Sequence, residues 1–236
     1  MTRNEMHTAF KVELDKTESL ELPAFEAEEI DYWLNQATLD FVKQHYRRFE
    51  QNREISEALR VLVVELTLNT TIGIPGVNKP NSYIADLDDP DADGSNADSI
   101  VDQYMYALNE QSAISFTDDD GSSVSEKRQG VTPCALNEYD YKVNDPHSPH
   151  VLHYGGAKPL RLYYGTTVEL ISDGNYTVDK YYLRYLRFPA TIGASVDCDL
   201  PVANHDEIVR LAVRKALENI EQPRFRTYVD EQRLEQ

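Results

Sequence analysis

The stretch Tyr181-Tyr-Leu-Arg-Tyr-Leu-Arg-Phe-Pro189, followed by Asp197-Cys-Asp-Leu-Pro201 and Asn204-His-Asp-Glu-Ile-Val-Arg-Leu-Ala-Val-Arg-Lys-Ala-Leu-Glu-Asn-Ile220, decides the fold class. Its first part closes a strand that begins near Tyr176. Its last part places Ile208, Leu211, Ala212, Ala216 and Ile220 at helical spacing, and Pro223 ends the run. Asn204, with Glu207 three residues on, has the form of a capping box, in which each side chain satisfies the other residue's free amide. A strand thus runs into a turn and then a closing amphipathic helix.

Working outward, the first 66 residues read as helices. Residues 3–16 put Met6, Ala9, Phe10 and Leu14 on one face, and residues 26–47 put Ile30, Trp33, Leu34, Ala37 and Phe41 on another. Glu26, Glu28 and Glu29 at the start and Lys43, Arg47 and Arg48 at the end suit the helix dipole. Trp33 reads as a core anchor. A third segment, 52–66, is helical in pattern, but its β-branched end from Val61 to Thr67 is equally compatible with a strand. Gly73, Pro75, Gly76 and Pro80 break regular structure. From about residue 104 to 188 the pattern has period two: Tyr104, Tyr106 and Leu108; Ile114 and Phe116; Leu160, Leu162 and Tyr164; Val168 and Leu170; then a Ser172–Asn175 turn and the closing strand. Helices segregated from strands predict an α+β fold. The expected divisions are a helical body part over 1–80, a β-rich insertion over 81–196, the C-terminal helix over 197–222 and an extension over 223–236.

Composition narrows the partners. With 41 acidic residues against 23 Lys and Arg, the formal charge is −18. Such a surface repels phosphate backbones and anionic lipid unless a basic patch intervenes, and the densest basic cluster is only Arg47-Arg48. Two well-separated cysteines, Cys134 and Cys198, and an N-terminus without an apolar core predict reduced thiols in a soluble, intracellularly made protein that does not enter membranes.

Candidate chemistry is sparse. The acidic loop Asp86–Asp98 places Asp89, Asp91, Asp93 and Gly94 at the first, third, fifth and sixth positions of a calcium-loop pattern, but Ile100 stands where a bidentate Glu belongs. Asp89, Asp91 and Asp93 are therefore only weak calcium candidates, and a solvated loop is the preferred reading. His147, His150 and His153 recur every third residue, but Pro149 opposes a helix that would align them for a metal. Gly155-Gly156-Ala157-Lys158 lacks the spacing and following hydroxyl of a phosphate loop. Cys134 reads as a free thiol. No nucleophile, base and orienting group emerge together, so neither an enzyme nor a cofactor is expected. Nine of the fifteen tyrosines lie between Tyr139 and Tyr185, which suits an assembly interface and equally suits cross-strand pairing. Arg224, Phe225, Arg226 and Tyr228 have the composition of a terminal docking peptide, and equally of a frayed tail.

Phe10-Lys-Val-Glu-Leu14, Leu22-Pro-Ala-Phe-Glu26, Glu29-Ile-Asp-Tyr-Trp-Leu-Asn-Gln-Ala37, Tyr185-Leu-Arg-Phe-Pro189, Asp199-Leu-Pro201, His205-Asp-Glu-Ile-Val209 and Ala212-Val-Arg-Lys-Ala-Leu-Glu218 frame nearly the whole chain. In these segments, though least over 81–150, the chain resembles the head-to-tail connector (adaptor or ring) proteins of crAss-like and related short-tailed phages. The resemblance implies a structural virion protein of the tail or neck, without catalytic residues, in a homo-oligomeric ring of about a dozen subunits. Implied partners are the portal, neighbouring tail or ring proteins, and passing DNA held without sequence-specific binding. It places the portal or ring contact at Arg224, Phe225, Arg226 and Tyr228. The acidic charge suits a lumen to which DNA does not stick. Another tail or tail-hub component, and a calcium-dependent surface-binding module, are the rival expectations.

Overall fold

A computed structural model of the chain describes residues 1–17, 25–49, 51–94, 99–118, 120–153 and 156–219. It is α+β, with helices at both ends of the described chain and strands between them. The chain divides into two compact units, one made of Met1–Leu62 with the chain from Phe188 onward, the other of Val63–Arg187. Among the described residues no helix is long and apolar enough to cross a membrane.

The helical unit is built from α1 (Arg3–Thr17), α2 (Ala27–Tyr46), α3 (Arg53–Leu59) and α5 (His205–Asn219), with α5 packed on α1 and α2. The α1 stripe largely follows the predicted spacing: Met6, Phe10 and Leu14 are buried, while Ala9 is only half-buried. On α2 the buried line is Ile30, Leu34, Ala37, Phe41 and Val42. Trp33 is not the anchor expected of it. At about 100° per residue it falls on the flank of that line, half-buried and edge-on to the exposed Tyr32 at 5.0 Å. The α5 stripe is rotated slightly from the predicted one, with Val209, Val213 and Leu217 buried and Leu211 half-buried; Ile220 lies outside the described residues.

Two helix starts exchange roles relative to the sequence reading. Asn204 belongs to a 3₁₀ turn, Val202–Asn204, that runs directly into α5, so the cap position falls to Pro201 and no Asn204–Glu207 box forms. The reciprocal arrangement is instead at α2, where the Glu26 amide donates to the Glu29 carboxylate at 2.9 Å. Glu is an uncommon N-cap, which is why the spacing alone did not single it out.

Polar ties complete the unit. Asp31, buried on α2, accepts from Arg3 Nη2 at 2.6 Å and pairs with His7 Nε2 at 2.7 Å. Burial raises the Asp31 carboxyl, but the bonds from Arg3 and His7 outweigh it and hold it below the usual carboxylate range. Asn35 brackets the backbone of Ile192, donating to its carbonyl at 3.0 Å and accepting its amide at 2.8 Å. Lys215 on α5 meets Asp40 on α2 at 2.5 Å.

The second unit begins at β1 (Val63–Asn69), inside the stretch up to residue 80 assigned from sequence to the helical part; the β-branched end of that segment becomes strand. The other strands are β2 (Thr71–Ile72), β3 (Ser82–Asp86), β4 (Tyr104–Thr117), β5 (Ser123–Gly130), β6 (Thr132–Pro133), β7 (Leu160–Tyr164), β8 (Thr167–Ile171) and β9 (Tyr176–Arg187), with one short helix, α4 (Tyr139–Asn144). One sheet has the order β1-β9-β4-β5 and the other β2-β3-β8-β7-β6. Their inner faces share a core that includes Leu68, Ile114, Phe116, Val168, Leu170, Val178 and Tyr185. On the outer side of the second sheet, Leu160, Leu162 and Ile171 pack with Tyr139 of α4. Period two in β8 separates these layers: Val168 and Leu170 face the shared core, and Ile171 faces Tyr139.

Candidate functional site

A polar cluster that converges on one carboxylate oxygen sits between the two sheets. Leu160 and Leu162 of β7 turn to α4, so alternation turns Arg161 and Tyr163 the other way, towards the first sheet. There Glu110 of β4 and Tyr181 of β9 meet them. A single oxygen, Glu110 Oε1, accepts from Arg161 Nη1 at 2.7 Å, from the Tyr181 hydroxyl at 2.8 Å and from the Tyr163 hydroxyl. The Arg161 guanidinium also stacks on the Tyr163 ring, 4.1 Å from its centroid. Burial, then the Glu110 carboxylate, raises both phenols well above their ordinary range, so they stay protonated donors. Burial opposes the charge on Arg161 most strongly of any single influence, yet Glu110, Tyr163 and Tyr181 together outweigh it and the guanidinium is held above its usual value. Through this one carboxylate oxygen Glu110 ties β7 to β4 and β9.

A second feature is a polar groove of about 360 Å³ on the outer face of the first sheet, lined by Glu65, Thr67, Asn109, Gln111, Arg128 and Tyr182 among others. Arg184 is paired with Glu65, and Arg128 lies 3.8 Å over the Tyr182 ring. Its cations are therefore already partnered, and its lining lacks the apolar area on which small-molecule sites depend.

The residues singled out from sequence fall as follows. Asp89 turns both oxygens onto its own loop, accepting the Asp93 amide at 3.1 Å and the Gly94 amide at 2.8 Å. Asp91 and Asp93 lie on the same loop, and among the described residues no group of three or more His, Cys, Asp or Glu is placed to hold a metal. The three histidines do not converge. His150 is buried against the Ser148 hydroxyl at 2.9 Å, while His153 Nε2 reaches the Pro146 carbonyl at 3.1 Å. Burial pushes both the Cys134 and Cys198 thiols up, which disfavours a thiolate nucleophile. Arg224, Phe225, Arg226 and Tyr228 lie outside the described residues. Of the interval rich in tyrosine, Tyr176, Tyr181 and Tyr185 are core residues, whereas Tyr141 and Tyr164 are largely exposed.

The Glu110 cluster was missed from sequence. Its only local signal is the alternation that puts Arg161 and Tyr163 on the opposite face from Leu160 and Leu162.

No protein-family model matches the chain, and no curated protein matches it. The class that the fold defines is an α+β protein, in whose β-rich unit the Glu110 cluster ties the two sheets together.

Proposed function

We propose that this chain is a structural virion protein, a head-to-tail connector that forms a ring between the portal and the tail and lines the DNA channel. The observation that carries the reading is topological. The helical unit is assembled from both ends of the described chain, and the β-rich unit lies between Leu62 and Phe188, the arrangement that the resemblance to connector proteins implies. Two further features support it. The Glu110 cluster serves as an internal tie between the sheets, and a charge of −18 lets DNA slide past without adhering. Ring closure is by heterologous contacts among about a dozen copies, with the portal and neighbouring tail proteins above and below.

Quantitative mass spectrometry of purified virions tests this. About a dozen copies per particle, as one closed ring requires, supports a connector role. Hundreds of copies would indicate a capsid or decoration protein, and absence from virions would overturn the structural reading.

A further inference from the structure

We draw no further inference here: the strongest candidate, the polar groove on the outer face of the first sheet between Glu65, Asn109, Gln111, Arg128 and Tyr182, carries nothing, because its Arg184 is spent on Glu65 and its Arg128 on the Tyr182 ring and nothing in the structure shows what covers it.

Discussion

Glu110 on β4 and Arg161 on β7 pair at 2.7 Å across the space between the two sheets, and Tyr181 and Tyr163 donate to the same carboxylate oxygen. The pair is a single electrostatic tie inside an otherwise apolar sandwich. Its two side chains are 11% and 14% exposed, so neither charge is replaceable alone by solvation.

Truncating one member should therefore cost far more than removing both. Glu110→Leu leaves a buried guanidinium without its counter-charge and should destabilise by about 3–5 kcal/mol, whereas Glu110→Leu with Arg161→Met should regain most of that loss. Urea midpoints measure both. A single-variant loss below about 1 kcal/mol would place the pair with surface ion pairs.

His205 makes the helical unit acid-sensitive. It is buried at the start of α5, where Nε2 meets the Leu200 carbonyl at 2.8 Å, so that nitrogen carries the proton; Nδ1 is buried with no hydrogen-bond partner. Burial lowers its pKa. The folded state keeps the ring neutral while the unfolded chain protonates near pH ~6.5, so stability is complete above that value and is lost as pH falls through the depressed folded pKa. His150, lowered by burial in the other unit, adds a term of the same sign. Unfolding midpoints should fall between about pH 7.5 and pH 5.5, and a His205→Gln, His150→Gln chain should show a flatter dependence.

The two faces of α2 should respond differently. Leu34 is fully buried and Tyr32 is 55% exposed. Leu34→Ala should cost about 2–5 kcal/mol, and Tyr32→Ala about 0.5 kcal/mol or less. Thermal unfolding of the two variants tests the assignment of the buried line, and similar losses would contradict it.

Gly73 is packed too closely for a side chain. A Cβ there would lie 2.1 Å from Ser82 Oγ, 3.0 Å from Asn78 Cβ and 3.2 Å from the Ser82 carbonyl oxygen. Rotating Ser82 relieves only the first clash. Gly73→Ala should lose about 1–3 kcal/mol by overpacking. Gly130→Ala, with open space at its Cβ, is the control and should stay near the wild-type midpoint.

Asp89 should behave as a loop staple. Asp89→Ala removes the bonds to the Asp93 and Gly94 amides and should cost about 1 kcal/mol. Adding calcium should leave the melting temperature of the wild-type chain unchanged. A calcium-dependent rise would instead reveal binding to the folded state and support the surface-binding alternative.

Which parts of the architecture could be read from sequence follows from the range of the interactions concerned. The α2 span and the β9 strand were legible because their periodicity lies in consecutive residues. The helix-to-strand change near residue 62 was ambiguous because Val61, Val63 and Val64 suit either state, and pairing with β9 decides it: Val63 lies opposite Leu186 and Val64 opposite Tyr185. β5 was not legible at all. Ser-Val-Ser-Glu-Lys-Arg-Gln-Gly has almost no apolar alternation, and it is a strand because β4 offers it an edge. In β4 the shifts in register between Tyr104 and Tyr106, and again between Ala107 and Asn109, blur the alternation read there.

By itself, then, the sequence determined the α+β class, the helical character of both ends of the described chain, the buried lines of α1 and α2 to within one flank residue, and the closing strand. Each of these depends on periodicity among near neighbours, which a chain carries whatever it packs against. Tertiary structure alone decided the strand order, the division at Leu62 and Arg187, and the meeting of Glu110 with Arg161, Tyr163 and Tyr181. Those partners stand 51, 53 and 71 positions from Glu110, and only sheet pairing and alternation bring them to one oxygen.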